Sequence, residues 1–490
     1  GSGTLPGDGS TGGAGGDGGS GSDPLPPTSP RLTLAKAPLD FLEVSESNPS
    51  VGMAVANTGD GDADDVTAQI TLPAGLAFAP PPGGASSLMA VPVQRLHDFL
   101  AFHSTGEIAI GDWTCSFEGA TAECGLPTLP AGGQTGFDVP VDITGAVPEG
   151  AVTSFVVTTG DQTIEYSVLT GVDVNDEDVD VIYTGEGQLA AMHVGATLMG
   201  CDLTQVACRN VMKSNASSSN DEYNNNSWAM MPLNEADGEF NSASTTLTLP
   251  EGSVVTYASL EWAANRYVTD AFSGALDSAR LRGPGQADYT PITADSVSQT
   301  TDPDGRIYYQ ARKDVTEIVK SLGTGEWSLA DIALSATSKD PDRTYFGGFA
   351  LTVIYGNPSL NDSRVAIFDG AQWVSTANKA DFTFATTAPA KVTLGWTAWE
   401  GDRGLQGDRI DIDGDTFAPL RWNGSSTNVG DSGNAADSTA FGGRHANTLG
   451  VDAKLFRPGN VPAGVHKVTV RTDGDNFLLS TLTVTIDYPD

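Results

Sequence analysis

Positive charge is scarce in this chain: 25 Lys and Arg stand against 62 Asp and Glu among 490 residues, a formal net charge of -37. A surface so acidic repels phosphate backbones and anionic lipid headgroups, which argues against nucleic acid or an acidic membrane as partner. Long apolar runs are missing too. The longest, Phe349 to Tyr355, is strand-sized and far short of the roughly 18 residues of a spanning helix. The five histidines, His97, His103, His193, His445 and His466, fall in no paired or HExxH spacing, which argues against a zinc centre. No GxSxG elbow is present, and the N-terminal glycines lack the strand and helix that would make them a phosphate loop. The chain also starts without Met and without a charged-then-apolar leader, which reads as a mature or trimmed form. Its Gly-Ser-Gly start reads either as a cloning remnant or as the spacer behind a lipidated cysteine, which would place a lipid anchor upstream of Gly1.

Cysteine is limited to two close pairs, Cys115 with Cys124 and Cys201 with Cys208, neither in metal-ligand spacing. Both pairs are expected to be disulfides. In Cys115-Ser-Phe-Glu-Gly-Ala-Thr-Ala-Glu-Cys124, a two-residue turn at Gly119-Ala120 sets the thiols opposite each other across a hairpin, and Gly in the first turn position suits a type II′ turn. Disulfides persist in oxidising compartments, so an exported, extracellular chain is expected. There the excess acid keeps the protein soluble, and calcium, which collects several carboxylate and carbonyl oxygens, is its natural counter-ion.

What is present is alternation. At roughly 100 to 200 residues per domain the length predicts two to four. Residues 1–29, almost wholly Gly, Ser, Asp, Thr and Pro, read as a disordered tether. Over 30–172, Val51, Met53 and Val55, then Val66, Ala68, Ile70 and Leu72, then Phe137, Val139, Val141 and Ile143 repeat every second position between Gly, Asn, Asp and Pro turns, which predicts an immunoglobulin-type β-sandwich. The acidic stretch 173–180 reads as a linker. Segments 181–357 and 358–490 each read as a further jelly-roll-like sandwich, so the whole is all-β and multi-domain. A single short helix is expected over Asp314 to Leu322, where Val315, Ile318, Val319 and Leu322 keep helical spacing and Gly323 ends it.

Two stretches carry a resemblance. Val55 to Leu76, VANTGDGDADDVTAQITLPAGL, resembles the Ig-like "conserved repeat" domain of secreted bacterial surface proteins. Further on, GFALTVIYGNPSL, VAIFDGAQWV, AWEGDRGLQGD, NTLGVDAKLF and VRTDGDNFLLSTLTVTID follow in order and resemble a β-rich region associated with such repeats. The resemblance implies a secreted or cell-surface protein of β-sandwich build and specifies no biochemical activity; here the Ig-like part comes first.

Glu400, Asp402, Asp408, Asp452, Asp473 and Asp475 form the leading site prediction. Glycines 401, 404 and 407 let the backbone fold tightly while the carboxylates converge, as a structural calcium site requires; the same residues also read as an ordinary solvated turn or a local ion pair between Asp402 and Arg403. Asp60, Asp62 and Asp64 alternate like an EF-hand start but lack its Gly and closing Glu, so they read as a turn. Asp411, Asp413 and Asp415 are expected to face solvent. Seven of the eight tryptophans lie beyond residue 181; Trp422, in a polar loop, is the candidate ligand-binding aromatic, and of Trp396 and Trp399, three apart on one strand, at least one is expected in the core. The Asn- and Ser-rich run Ser214 to Ser227 reads as a surface loop. Together these features predict a non-enzymatic extracellular surface protein, an adhesin or structural component of an envelope or filament, whose partners are other surface proteins, further copies of itself or glycans. A carbohydrate-binding module and an extracellular hydrolase are the alternatives.

Overall fold

A computed structural model describes residues 29–36, 41–44, 50–79, 107–148, 151–160, 162–172, 180–214, 220–302, 304–336, 343–386 and 388–488. The tether of 1–28, His97 and His103 lie outside them. The chain is all-β: its two described α-helices, Val206–Met212 and Thr316–Leu322, span seven residues each.

The N-terminal sandwich follows from the alternation. Strand Ala63–Thr71 buries Val66, Ala68 and Ile70 and exposes the residues between them. It belongs to a seven-stranded sheet, which packs on strands Leu32–Lys36, Ser50–Asn57, Gln134–Ile143 and Leu76–Phe78 through Leu34, Val55, Ile70, Trp113 and Phe155. Each buried Val or Ile removes apolar area worth about 1.5–3 kcal/mol. In hairpin Trp113–Glu118/Thr121–Leu129, Cys115 faces Cys124 directly and the two are bonded, with Cα atoms 4.0 Å apart. Gly119 supplies the turn's left-handed residue at φ 58°. Cys201 and Cys208 are also bonded, pinning helix Val206–Met212 to the strand end before it. The second helix begins two residues later than its sequence pattern and ends at Gly323.

Beyond residue 180 the chain builds four stacked layers. An outer sheet of Ser242–Leu247, Gly325–Ala330, Ser278–Arg282 and Thr290–Thr293 covers one face of a five-stranded sheet made of Leu189–Thr197, Gly347–Gly356, Val254–Tyr267, Arg306–Asp314 and Ser296–Thr301. The other face of that sheet lies on strands Asp180–Gly187, Ser363–Val374, Phe477–Asp487, Ala390–Trp399 and Val451–Leu455. A second outer sheet, Ala380–Thr386, Gly464–Arg471, Arg409–Ile412 and Asp415–Thr416, closes the stack. The two middle sheets are thus covered on both faces, which is why every residue of Gly347–Gly356 is buried and why both Trp396 and Trp399 are core, one toward each neighbouring layer.

Strand Asp180–Gly187 follows the linker yet pairs with Ser363–Val374 on one side and, at Leu34↔Glu186, with Leu32–Lys36 on the other. One ten-stranded sheet therefore runs from the N-terminal sandwich into the four-layer stack.

The seam between the middle sheets carries polar ties as well as apolar contacts. His193 sits fully buried among Thr352, Thr397 and Thr483, with Nε2 2.9 Å from the Thr483 hydroxyl and Nδ1 3.1 Å from that of Thr352. Burial pulls its pKa down to about 3 and keeps it neutral. Glu261 accepts from Ser480 at 3.1 Å across the same seam and from Arg312, its partner on the adjacent strand of its own sheet, at 2.6 Å.

Replacing Cys115 and Cys124 together with Ala leaves the hairpin's pairing intact but frees its short loop in the unfolded chain, so the N-terminal sandwich is expected to lose about 2–3 kcal/mol, read as a lower midpoint in denaturant unfolding.

Candidate functional site

Strand register assembles the site. Trp399 pairs with Val451 on one side and Leu478 on the other, so the loop after Trp399, the segment before Val451 and the turn before Phe477 leave one end of the same sheet together. The tip of hairpin Ser296–Thr301/Arg306–Asp314, from the five-stranded sheet, meets them there and brings Asp302 and Arg306. Loop 400–408 is held between its neighbours by backbone hydrogen bonds, Gly407 N–H to Gly433 at 2.7 Å, Ala435 N–H to Asp408 at 3.0 Å and Glu400 N–H to Gly450 at 2.8 Å. Gly401 has to be glycine: a Cβ there would lie 2.5 Å from the Ala436 carbonyl oxygen and 2.7 Å from the Asp452 carboxylate. Glu400 is held in the left-handed region at φ 79°, a strained backbone for a residue with a side chain.

Five of the six predicted acids come together and all five are sealed from water: Glu400, Asp402, Asp408, Asp452 and Asp475 are at most 5 % exposed. Asp473 is not among them. It sits at the tip of the turn, largely exposed, and pairs with Arg409 at 2.6 Å. Nor is the loop a solvated turn, since Asp402 is buried and Arg403, not paired with it, donates instead to the carbonyls of Asp437, Ser438 and Ala446 and to the Thr439 hydroxyl.

The charges divide into two halves. On one side Asp437 is clasped by Lys454 and Arg421, and Lys454 reaches Asp452 at 2.5 Å. Burial opposes the charge of Asp437, but Lys454, Arg421 and Arg403 overcome it and hold the pKa at about 2. Asp452 is raised by burial despite Lys454, and it also accepts from the Ser438 and Thr439 N–H groups. On the other side Arg306 binds Asp302 and lies 3.2 Å from Glu400, while Asp402, Asp408 and Asp475 have no ion-pair partner among the described residues and Asp408 feels Lys454 only at longer range. Burial, then neighbouring carboxylates, drives Glu400, Asp408 and Asp475 well above the carboxylate range and Asp402 to about 7. Seven buried carboxylates thus face four cations, and the surplus of negative charge is concentrated around Asp402, Asp408 and Asp475.

Hydrogen bonding is incomplete at the same place. Asp402 accepts from Asn225 N–H at 3.2 Å, and Asp475 accepts from Asp402 N–H at 3.0 Å and Asn476 N–H at 2.7 Å. Neither oxygen of Asp408 meets a donor in good hydrogen-bond geometry, although the Thr472 hydroxyl lies near enough to work against the effect of burial. Asn434 spends its amide N–H groups on the carbonyls of Asp402 and Arg403 and leaves its side-chain oxygen bare, and both side-chain atoms of Asn225 are bare as well. As they lie, no three His, Cys, Asp or Glu side chains among the described residues enclose a metal ion.

Several partners were not legible in sequence. Arg306 is 94 residues from Glu400, and Asn224 and Asn225 come from the run expected as a surface loop. That expectation is corrected at Asn224 and Asn225, which are buried, Asn224 accepting from Gly404 N–H at 2.7 Å; Asn226 and Ser227 are exposed as expected, and 215–219 lie outside the described residues. Asp411 does not face solvent either; it is buried and binds Arg471 at 2.8 Å. Trp422 is half-buried, donates from Nε1 to the Gly443 carbonyl at 2.7 Å and leans on Phe441, so its ring is not a free platform. Asp60, Asp62 and Asp64 bind Ser29 N–H, Ala131 N–H and Thr128 as turn residues do.

No known protein family matches the chain, and no curated protein does. Among solved structures it is similar to the collagen-binding domain of the surface protein RspB of Erysipelothrix rhusiopathiae, at 7% identity over 70% of this chain and 86% of that one, with a TM-score of 0.15. It is also similar to the I9-I11 tandem of titin, at 7% identity over 62% of this chain and 97% of that one, TM-score 0.10. A third is Salmonella alpha-2-macroglobulin reacted with methylamine, at 11% identity over 93% of this chain and 23% of that one, TM-score 0.14. Scores this low establish neither a shared topology nor a shared role.

Two outcomes follow from the charge distribution. Lys454→Met strands Asp437 and Asp452 in the interior and is expected to cost about 3–5 kcal/mol in unfolding free energy. Because Asp402 titrates near 7 when folded and near its ordinary 3.8 when unfolded, folding takes up a proton between those values and stability falls as pH rises through 7. In chelator-treated protein the melting temperature should therefore climb as pH drops from 8 to 7, protonation of unfolded His193, centred on 6.5, taking back part of the gain below that, and Asp402→Asn should make that slope shallower.

Proposed function

We propose that the chain is a non-enzymatic extracellular surface protein, an adhesin or a structural component of a bacterial envelope or filament, whose sandwiches act as a stiff spacer and whose loop-bearing ends make contacts. The observation that carries this reading is the sealing of the acidic cluster. Its carboxylates have the raised pKa values that a hydrolase would need in an acid or base, yet they are shut away from any substrate and spent on joining loops of two stacked sandwiches. An open cleft of about 810 Å³ between residues 132–136 of the N-terminal sandwich and helix Thr316–Leu322 offers hydroxyls, Asp314, Glu317 and Lys320, with Glu317 and Lys320 paired to each other at 3.1 Å. It brings together no nucleophile and base. Two buried disulfides fit an oxidising exterior, and no helix among the described residues is long and apolar enough to cross a membrane.

The test is binding without turnover. Immobilised protein is presented with arrays of glycans and matrix proteins and with itself, measured by biolayer interferometry, while polysaccharide and protein polymers are incubated in parallel and assayed for cleavage. Saturable binding to at least one surface, without released fragments, is expected. Cleavage of any polymer, or no saturable binding on any array, overturns the reading.

A further inference from the structure

The part of the cluster around Asp402, Asp408 and Asp475, none of which has an ion-pair partner among the described residues, is short of positive charge and, at the same spot, short of hydrogen-bond donors. Both shortages face Asp408. Its carboxylate is fully buried with neither oxygen in good hydrogen-bond geometry to a donor, and its backbone carbonyl is tied to Ala435 N–H, next to Asn434. The amide of Asn434 is oriented by its own bonds: with its N–H groups given to the Asp402 and Arg403 carbonyls, its side-chain oxygen is left as a buried acceptor without a donor. A buried acceptor without a donor is costly, and a buried carboxylate without a cation is costlier still, so several of them meeting by chance would be selected against. Oxygen atoms of two kinds, carboxylate and amide, lacking partners in one place describe the inside of a cation shell.

We propose that Asp402, Asp408 and Asp475, together with the side-chain oxygen of Asn434, hold a calcium ion. The donor set is all oxygen, with no imidazole or thiolate, which disfavours zinc and suits a hard cation. The three carboxylates do not close on a point as they lie. An ion there takes part of its shell from Asn434 and from water, and the loose, uneven spacing of these donors suits calcium, with six to eight ligands in flexible geometry, better than magnesium, which demands a short, near-ideal octahedron. The ligands belong to three separate segments, 400–408, 431–436 and 472–476, so the ion would fasten the loop after Trp399 to both of its neighbours. A divalent cation also offsets most of the surplus negative charge. This inference does not depend on the adhesive role, since any function of the chain would be served by it.

The test uses the full chain, freed of metal by chelator and titrated at neutral pH with calcium chloride over the range of about 0.1–1 mM typical of extracellular modules. Isothermal calorimetry should report one ion per chain, and the melting temperature should rise with calcium and fall again with excess chelator, while magnesium chloride at the same concentration produces a smaller rise. Asp408→Asn should weaken calcium binding at least tenfold; Asp473→Asn, outside the cluster, should leave it unchanged. If Asp408→Asn does not fold, Asn434→Ala, which removes one oxygen without altering charge, takes its place with the same expected loss. Absence of both heat and melting shift in the unmodified chain, or binding by the Asp408 or Asn434 variant as tight as before, overturns the proposal.

Discussion

Coverage of the two middle sheets on both faces is the constraint from which the rest descends. A sheet with one wet face lets its loops curl outward, and acids in those loops cost little. Here the strands around Trp399 are roofed on one side by the five-stranded sheet and on the other by the outer sheet of Phe382 and Phe384. The segments leaving their ends stay inside the stack. Apart from Asp473 at the exposed tip of its turn, the carboxylates of the cluster are buried, and their surroundings constrain the local backbone: Gly401 against Asp452, Glu400 in a left-handed conformation, Asn224 and Asn225 drawn in from a distant polar run.

The same coverage explains the polar seam between the layers. Apolar packing of Tyr308, Phe346, Trp399 and Val451 supplies cohesion without direction. His193 with its three threonines and Glu261 with Arg312 and Ser480 fix how one sheet is turned upon the other, because each of these groups is buried and tolerates only the arrangement that satisfies it.

Much of the architecture was readable because strands announce themselves locally. Period-two alternation placed Val66, Ala68 and Ile70 inside, the Gly119-Ala120 turn set the register of Cys115 and Cys124, and the strand-sized, nearly continuous apolar run from Phe349 to Tyr355 lies in a strand buried along its whole length. Helix Val206–Met212 escaped notice because only Cys208, Val211 and Met212 face the core, too few to set a helical rhythm. For the site, glycine spacing flagged loop 400–408 and the neighbouring NTLGVD segment, and Asp473 was swept in merely as a neighbour of Asp475. What sequence could not supply were partners at long range. Nothing in Arg306, Asp437 or Lys454 taken singly distinguishes a surface charge from a buried one; tertiary placement makes that difference, bringing Arg306 from another sheet 94 residues before Glu400 and Lys454 onto Asp437 in the interior.

The ten-stranded sheet has a mechanical side. Strand Leu32–Lys36 is bonded to Ser50–Asn57 along one edge and reaches Asp180–Gly187 along the other, so the boundary between the N-terminal sandwich and the stack is crossed by backbone hydrogen bonds in addition to the covalent chain. A load applied at the near end is handed sideways from strand to strand through the sheet, and the two bodies resist bending as a laminated beam does, without a hinge at the junction where a linker would ordinarily place one.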